Sequence, residues 1–236
     1  MMFQHNCGNR LLRRLNASDF AAVTSNAEVI VAEEGTLEDI GDAEGKYVFF
    51  PELGIVSQAI RQGPHQIDVA LVGREGFLGL SAVLNSGREF TIARITRSGT
   101  LIRIPSATMR QALVASDELK QLLLRYSQVY SAQIGSSLLA SALADVTVRV
   151  ARWLLMFADR SDSVELSLTH ETIARALNVR RPSVTVATHS LEGERAILAA
   201  RGKIVIRDRA RLQALAGHAY GFAEREYRVL LGPEPT

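Results

Sequence analysis

Apolar and polar residues follow two different rhythms along this chain. Between residues 28 and 104, short runs of β-branched and aromatic residues recur about every ten residues, separated by glycine, proline, aspartate and asparagine. Such runs predict an antiparallel β-roll of the jelly-roll or double-stranded β-helix type. The six runs are VIVAEE, YVFFP, GIVSQAI, QIDVALVG, FTIARI and TLIRI. Beyond Pro105 the apolar spacing changes to three and four, which predicts helices, so the expected fold class is α+β.

The segment 166–207 predicts two short helices followed by a hairpin. Thr169 can cap the first helix, and Asn178 tolerates the left-handed backbone of the tight turn that ends it. Pro182 has no amide hydrogen and suits the first turn of the second helix. Two strands around a glycine turn are predicted within 197–207. This order is that of a winged helix-turn-helix, which places its second helix in the major groove of DNA.

Charge supports a partner that carries phosphates. Residues 180–211 contain eight lysines or arginines against three acids, a net charge of +5. The front of the chain, residues 1–146, has 13 basic and 15 acidic groups, whereas residues 147–236 have 14 and 10. A solvated basic face of an ordinary helical hairpin would carry similar charge. The coincidence of turn chemistry, helix spacing, hairpin and charge favours double-stranded DNA as the partner.

The runs LTHETIARALNVRRPSVTVATHSLE and RGKIVI resemble the C-terminal DNA-binding domain of the Crp/Fnr family of bacterial transcription regulators. The resemblance implies that Arg181 contacts a guanine edge and that His189 lies near a phosphate. Pro182 and Val186 differ from the glutamate and the second arginine of the best-known members, so their operator sequence does not carry over. The DNA-binding residues predicted in this way are Arg180, Arg181, Pro182, Ser183, Thr185, Val186, His189, Arg201 and Lys203.

A glycine-rich turn, GREGFLGLSAVL at residues 73–84, interrupts the predicted roll. It could present backbone amides to an anion, although a connection that merely needs positive φ is the simpler interpretation. The N-terminal part resembles the cyclic-nucleotide-binding roll of the same family. Leu80 stands where the family has a ribose-binding glutamate, and Glu89 stands where it has a phosphate-binding arginine. The effector pocket implied by the resemblance comprises Gly76, Phe77, Gly79, Leu80, Arg88 and Glu89.

An acid at the phosphate position would repel a cyclic phosphate unless Arg88 reached in from the next residue. We therefore expect no cyclic-AMP binding in the family's usual manner. The identity of a small-molecule effector, and whether one exists, is left open.

One long helix is predicted over residues 117–144, after a small helix at 106–115. Its apolar and small residues recur at alternating intervals of four and three, as in the seam of a coiled coil. Packing on the chain's own roll would give the same pattern, but a homodimer is favoured because it would present two recognition helices to neighbouring major grooves. The seam residues are Leu119, Leu123, Tyr126, Tyr130, Gln133, Ser137, Ala140 and Ala144.

We therefore expect three parts. A β-roll sensor domain with flanking short helices spans 1–116, a dimerisation helix spans 117–144, and a winged helix-turn-helix domain spans 145–236. The tail after Arg209 predicts one further amphipathic helix, whose role is packing or contact with a partner. RNA polymerase is a further candidate partner.

Composition excludes several classes of protein. Apolar residues make up 47% of the chain and charged residues 22%, as in ordinary globular proteins, and nothing indicates a membrane span or a signal peptide. A cytoplasmic location is expected. The single cysteine, Cys7, cannot form an intramolecular disulfide and supplies only one of the thiolates that an iron–sulfur cluster needs.

The competing interpretation is a ligand-binding or cupin-like enzyme module that uses the roll and keeps the helix pair as packing. Such a metal site needs several histidines and carboxylates, but residues 28–104 contain one histidine, His65. No nucleophile elbow, P-loop or dinucleotide motif is present in the sequence. We expect no catalytic residue, no metal site and no cofactor.

Overall fold

The six apolar runs form the six strands of a β-roll in the computed structural model, which describes residues 3–35, 45–161 and 163–233. The strands are β1 (Glu28–Ala32), β2 (Tyr47–Pro51), β3 (Ile55–Gln62), β4 (His65–Val72), β5 (Thr91–Arg97) and β6 (Gly99–Pro105). They pair antiparallel in two three-stranded sheets, with the orders β1-β6-β2 and β4-β3-β5. The predicted roll and the predicted fold class are confirmed.

Apolar side chains on neighbouring strands build the core of the roll. Val48 and Phe50 are fully buried, as are Ile102 and Ile104 on the neighbouring strand. Val48 pairs with Ile104 and Phe50 pairs with Ile102, so the inward side chains of the two strands face one another. Burial of side chains of this size contributes about 1.5–3 kcal/mol each.

Helices precede, follow and interrupt the roll. They are α1 (Arg10–Arg13), α2 (Ala17–Thr24), α3 (Leu80–Leu84), α4 (Ser106–Ala115), α5 (Asp117–Leu143), α6 (Val146–Ala158), α7 (His170–Leu177), α8 (Arg181–Gly193), α9 (Arg209–Ala216) and α10 (Phe222–Leu231). Three short strands complete the C-terminal half, namely β7 (Glu165–Leu166), β8 (Ile197–Ala200) and β9 (Lys203–Ile206). They form one sheet in the order β7-β9-β8.

The long helix α5 begins and ends where the sequence predicted, to within one residue, but its seam faces inward. Leu119 and Leu123 are each 1% exposed and pack in the core of the roll of the same protomer. Gln133 is also buried, and its side-chain oxygen accepts a hydrogen bond from the Leu71 amide of β4 at 2.6 Å. The prediction that this seam meets a second copy is therefore wrong for most of its residues, because the sheet of the same chain already covers them.

The opposite face of α5 is exposed. Leu138, Leu139 and Leu143 are 71%, 58% and 78% exposed, and Gly135 and Ala142 lie on the same side. A long helix that carries three exposed leucines beside small residues has an apolar surface that the rest of the chain leaves uncovered.

The tail forms two helices, α9 and α10, instead of the single helix predicted. Gly217 and Gly221, with φ of 52° and 100°, interrupt the predicted helix at a short 3-10 turn between α9 and α10. Helix α10 then returns to the roll and packs along α5, so that Leu231 joins the core of the roll. Arg14 donates hydrogen bonds to the carbonyl groups of Leu231 and Gly232, which ties the end of α10 to the N-terminal helices.

The cysteine lies in the N-terminal part of the core. Cys7 is 4% exposed, and its thiol lies 3.9 Å from the carbonyl oxygen of Asn9. Burial raises the pKa of the Cys7 thiol to about 11. This thiol is therefore protonated at neutral pH and behaves as a small apolar side chain.

Roll and C-terminal half share an apolar contact. Ile55 and Leu71 of the roll are buried in the same cluster as the apolar faces of α6, α7 and α8. An ion pair lies beside it, since Arg160 Nε is 2.7 Å from Glu75 Oε1 with both side chains largely buried. The C-terminal half is thus packed against the roll of the same chain.

Candidate nucleic-acid interface

Local chemistry fixes the two helices of the interface as predicted. The Thr169 hydroxyl accepts a hydrogen bond from the Thr172 amide at 3.0 Å and caps α7. Asn178 ends α7 in the left-handed conformation, with φ of 51°, and Pro182 occupies the first turn of α8. The angle between the helices is held by apolar packing, in which Val184 is fully buried.

A histidine of α7 contacts two threonines of α8, and the sequence did not predict this contact. His170 Nδ1 lies 3.0 Å from the Thr185 hydroxyl, and Nε2 lies 3.3 Å from the Thr188 hydroxyl. Burial, followed by the charges of Arg181 and His189, lowers the pKa of His170. The neutral ring therefore braces α8 from the first turn of α7. The sequence signal is weak, because it consists only of a histidine at a helix start and two threonines on another helix.

One side of α8 is open to solvent. Arg181 and Pro182 are exposed at its beginning. Val186 follows at 69% exposure, and the side chain of His189 is 73% exposed. Of the remaining predicted contacts on this helix, Ser183 and Thr185 are half-buried at the edge of this side, and Arg180 is exposed as the residue before the helix. The structure thus brings the predicted residues of α8 together on one surface.

The predicted wing is the hairpin of β8 and β9. Arg201 and Gly202 form its turn, with a φ of 73° at Gly202, and Arg201 is exposed at the tip. Lys203 is exposed but engaged, because its ammonium group lies 2.5 Å from the Glu165 carboxylate on β7. Of the two predicted wing residues, Arg201 is the one with no internal partner in the part of the chain that the structure describes.

Several guanidinium groups of this half have no internal acceptor. Arg211 forms an ion pair with Glu194, but other arginines around α8 and the wing make no hydrogen bond or ion pair through their side chains within the described ranges. Positive groups of this kind bind backbone phosphates and release counterions on doing so. They are Arg180, Arg181, Arg195, Arg201 and Arg207.

The glycine-rich turn of the roll does not form an open pocket. A small space of about 40 Å³ lies beside Leu80 and Arg88, the first at the start of α3 and the second exposed. Glu89 points into the turn, where its carboxylate accepts hydrogen bonds from the Thr91 hydroxyl at 2.9 Å and from the Ser81 amide at 3.5 Å. The Glu89 carboxylate therefore already accepts the hydrogen bonds that the Ser81 amide and the Thr91 hydroxyl could offer to a bound anion.

The other residues of the predicted effector pocket serve packing and backbone geometry. Phe77 is 3% exposed and stacks on Phe50, with 5.6 Å between the ring centroids. Gly79 precedes α3 with a φ of 92°. A Cβ on Gly76 would lie 1.9 Å from the Tyr126 hydroxyl, so only glycine fits there.

Neither a metal site nor a membrane span is found in the described residues. No three His, Cys, Asp or Glu side chains among them are grouped so that they could hold a metal ion. None of the helices in the described ranges is both long enough and apolar enough to cross a membrane.

Comparison with known proteins adds a family and a fold. The family model described as a Crp-like helix-turn-helix domain matches residues 148–215. FixK2 from Bradyrhizobium japonicum superposes with a TM-score of 0.70 at 16% identity, over 82% of this chain and 99% of that one. A CRP-family transcriptional regulator from Thermus thermophilus gives 0.66 at 20% identity, over 82% and 98%.

The c-di-GMP-responsive global regulator CLP from Xanthomonas campestris gives a TM-score of 0.65 at 14% identity, over 81% of this chain and 99% of that one. No curated protein matches the sequence. At these identities the solved structures establish a common fold, and the family model locates the helix-turn-helix within it.

Proposed function

We propose that the chain, whose residues 148–215 match the Crp-like helix-turn-helix domain, is a regulator of the Crp/Fnr family that binds specific double-stranded DNA as a homodimer to control transcription. The observation that carries the proposal is the open side of α8. It presents an arginine, a β-branched side chain and hydroxyl groups beside a wing with a free arginine. Base edges in a major groove are recognised by such side chains. The cytoplasm, where bacterial DNA lies, is the proposed location.

Specific contacts are proposed for the residues on this surface. Arg181 at the start of α8 would donate two hydrogen bonds to a guanine, and Val186 would contact a thymine methyl group. Arg180, His189 and Arg201 would contact phosphates. Ser183, Thr185, Pro182 and Lys203 complete the proposed interface.

The homodimer is proposed to form through the exposed face of α5. Two such helices in contact would cover Leu138, Leu139 and Leu143, and the small side chain of Ala142 and the bare Gly135 would let the two backbones approach closely. A two-fold pair of recognition helices would then read two half-sites about one helical turn apart.

The three sequence-based domains are retained as a proposal: a sensor at 1–116, a dimerisation helix at 117–144 and a DNA-binding domain at 145–236. We propose that cyclic AMP is not the effector, because the carboxylate of Glu89 occupies the donors that a cyclic phosphate would need and would repel that phosphate. RNA polymerase is a further proposed partner.

The enzyme alternative is not favoured. The similar protein from Thermus thermophilus is a transcriptional regulator and that from Xanthomonas campestris is a global regulator, and the roll interior is filled by Phe50, Phe77 and other apolar side chains. We propose that the protein has no catalytic activity and no cofactor.

Fluorescence anisotropy tests the proposed function. The labelled duplex comes from the region upstream of the protein's own gene, a scrambled duplex of the same composition is the control, and each is titrated over a salt series with and without cyclic AMP. We expect tighter binding to the upstream duplex, a steep loss of affinity with salt because phosphate contacts release counterions, and no effect of cyclic AMP.

Two results would contradict parts of the proposal. Binding that requires cyclic AMP would show that Glu89 does not block the roll. Failure to bind the upstream duplex would lead to selection from a random DNA pool, and failure there as well would remove the proposed function.

A further inference from the structure

A cleft of about 760 Å³ lies between the two halves of the protomer. Its walls come from Arg10 at the start of α1, from the turn after β4, from α5, from the end of α6 and from the segment that contains α9 and α10. Among the described residues that line it, none belongs to α8, and none belongs to the effector pocket predicted at the glycine-rich turn. The cleft exists because α10 folds back along α5, a feature for which the sequence suggested only packing or a partner contact.

The charged side chains of the cleft are mostly basic. Five arginines and three acids line it, and each acid is already engaged. Glu75 pairs with Arg160 at 2.7 Å, and Asp159 accepts a hydrogen bond from Tyr220 at 2.8 Å while pairing with Arg209.

The third acid, Glu224, serves its own helix by accepting a hydrogen bond from the Gly221 amide at 3.1 Å. Two arginines of α10 are left without an acid. Arg225 makes no side-chain hydrogen bond or ion pair within the described residues, and Arg228 makes only a contact of 3.4 Å with the Glu224 carbonyl oxygen. Three residues apart on one helix, they present positive charge on the same side.

The floor of the cleft is apolar and aromatic. Tyr126 and Val129 of α5 are 3% and 5% exposed, and Ala223 of α10 is 7% exposed. Burial raises the pKa of Tyr227 to about 12, so its hydroxyl keeps its proton, and that proton has no acceptor among the described residues. A ligand that brings both an acceptor and an apolar body would satisfy this surface.

We propose that the cleft binds a small organic anion, in which a carboxylate, phosphate or sulfonate group meets Arg225 and Arg228 and an apolar or aromatic body packs on the half-buried rings of Tyr220 and Tyr227. The site is separate from the proposed dimer contact, since Tyr126 and Val129 lie on the face of α5 opposite Leu138. A second copy of the chain would therefore leave the cleft open.

A ligand in the cleft would touch both moving parts of a regulator. Glu75 and α10 lie on the side of the roll, whereas Arg160, Arg209 and Tyr220 lie on the side of the C-terminal half. An anion that binds better to one relative position of the two halves would shift the population towards it and so change DNA affinity. This second step rests on the proposed DNA-binding function, but binding of the anion does not.

Anilinonaphthalene sulfonate is a suitable probe because it joins an anionic group to an aromatic body. Its fluorescence is titrated against the full chain without DNA. The cleft variant is Arg225→Glu with Arg228→Glu, both at positions outside the core, whose replacement leaves the core intact. Arg110→Glu, an exposed arginine on α4 outside the cleft, is the matched charge control, and Arg88→Glu tests the glycine-rich turn.

We expect saturable binding of one probe per chain, weakened by at least about tenfold in the cleft variant because two charge-assisted contacts are lost. The Arg110→Glu and Arg88→Glu variants should bind as the unchanged protein does. If thermal melting shows that the cleft variant is unfolded, Gln213→Glu on α9 adds negative charge from the other wall and should weaken binding in the same direction.

Unsaturable binding, equal binding by all variants, or a loss caused by Arg88→Glu would each overturn the proposed site. Anisotropy of the DNA duplex with and without the probe then tests the coupling. Probe binding without a change in DNA affinity would refute the regulatory role alone, whereas absent DNA binding in both conditions would refute the proposed function.

Discussion

Arg181 is the residue on which DNA specificity should depend most. Its side chain is exposed at the start of α8 and has no acceptor among the described residues. We expect Arg181→Ala to weaken binding by about 1–3 kcal/mol and to relax the preference at one base pair of each half-site. Competition between duplexes that differ at single positions measures both effects. Arg110→Ala, on α4, is the control that should leave both unchanged.

A uniform loss over all sequences would instead make Arg181 a phosphate contact. The salt dependence separates the two roles, because loss of a phosphate contact lowers the slope of log affinity against log salt by roughly one.

His170 should make stability depend on pH. Burial, Arg181 and His189 lower its pKa below the ordinary 6.5, while Glu192 acts in the opposite direction. The folded state therefore binds this proton more weakly than the unfolded state, so the stability present above pH 6.5 is lost as the pH falls through the folded pKa. Urea unfolding between neutral and mildly acidic pH measures this loss. His170→Gln should flatten the profile there.

His65→Gln is the matched control, because that ring is exposed on β4 and is not among the groups that shift the pKa of His170. A profile that stays equally steep in His170→Gln would contradict the role of His170. The sequence contained His170, but its role depends on the crossing of α7 and α8.

At the scale of elements, the exposed face of α5 should hold the dimer together. Leu138→Asp with Leu139→Asp places two charges on that face without touching the buried seam. We expect the variant to be a folded monomer with much weaker DNA binding, because it can contact only one half-site. Light scattering and anisotropy measure the two effects.

Val114→Asp is the control for an exposed apolar residue elsewhere, since Val114 on α4 is 91% exposed. If the leucine variant stayed dimeric, another surface would have to form the interface. If the unchanged protein were monomeric at the concentrations that bind DNA, the homodimer itself would be refuted.

The elements differ in how far the sequence predicts them. Thr169, Asn178 and Pro182 each fix a helix end through their own backbone chemistry, so the helix-turn-helix could be located to the residue. The sequence could not show which side of α5 faces outward. Apolar and small residues occur on both of its faces, and the periodicity alone does not say which face meets the roll. The break at Gly217 and Gly221 was visible in the sequence but lay within a continuous apolar pattern.

At the scale of the whole molecule, the ion pair of Glu75 and Arg160 joins the roll to the DNA-binding half. Burial alone would lower the pKa of Arg160, but the charges of Glu75 and Asp159 raise it above its ordinary value. Glu75→Gln would leave a largely buried guanidinium without its main partner, and we expect a loss of about 3–5 kcal/mol in the free energy of unfolding. Urea unfolding at fixed protein concentration measures it.

Glu28→Gln provides the matched comparison. It removes the same charge from a pair with Arg103 whose side chains are 64% and 31% exposed, and should cost only about 0–1 kcal/mol. If both variants lost the same free energy of unfolding, the buried Glu75–Arg160 pair would stabilise the protein no more than the exposed Glu28–Arg103 pair does. The sequence could not have revealed the Glu75–Arg160 pair, because its members are far apart along the chain and only the docking of the halves brings them together.

Because Cys7 is buried, its thiol is unreactive in the folded protein, and this makes site-specific labelling possible. Its thiol is protonated at neutral pH and 4% exposed, so alkylating reagents should leave the native protein unmodified and react only after unfolding. A cysteine placed at Arg201 on the wing would then be the one reactive thiol of each protomer. In the proposed homodimer, a spin label attached there would report how far apart the two wings lie in solution, and whether that distance changes when an anion is added.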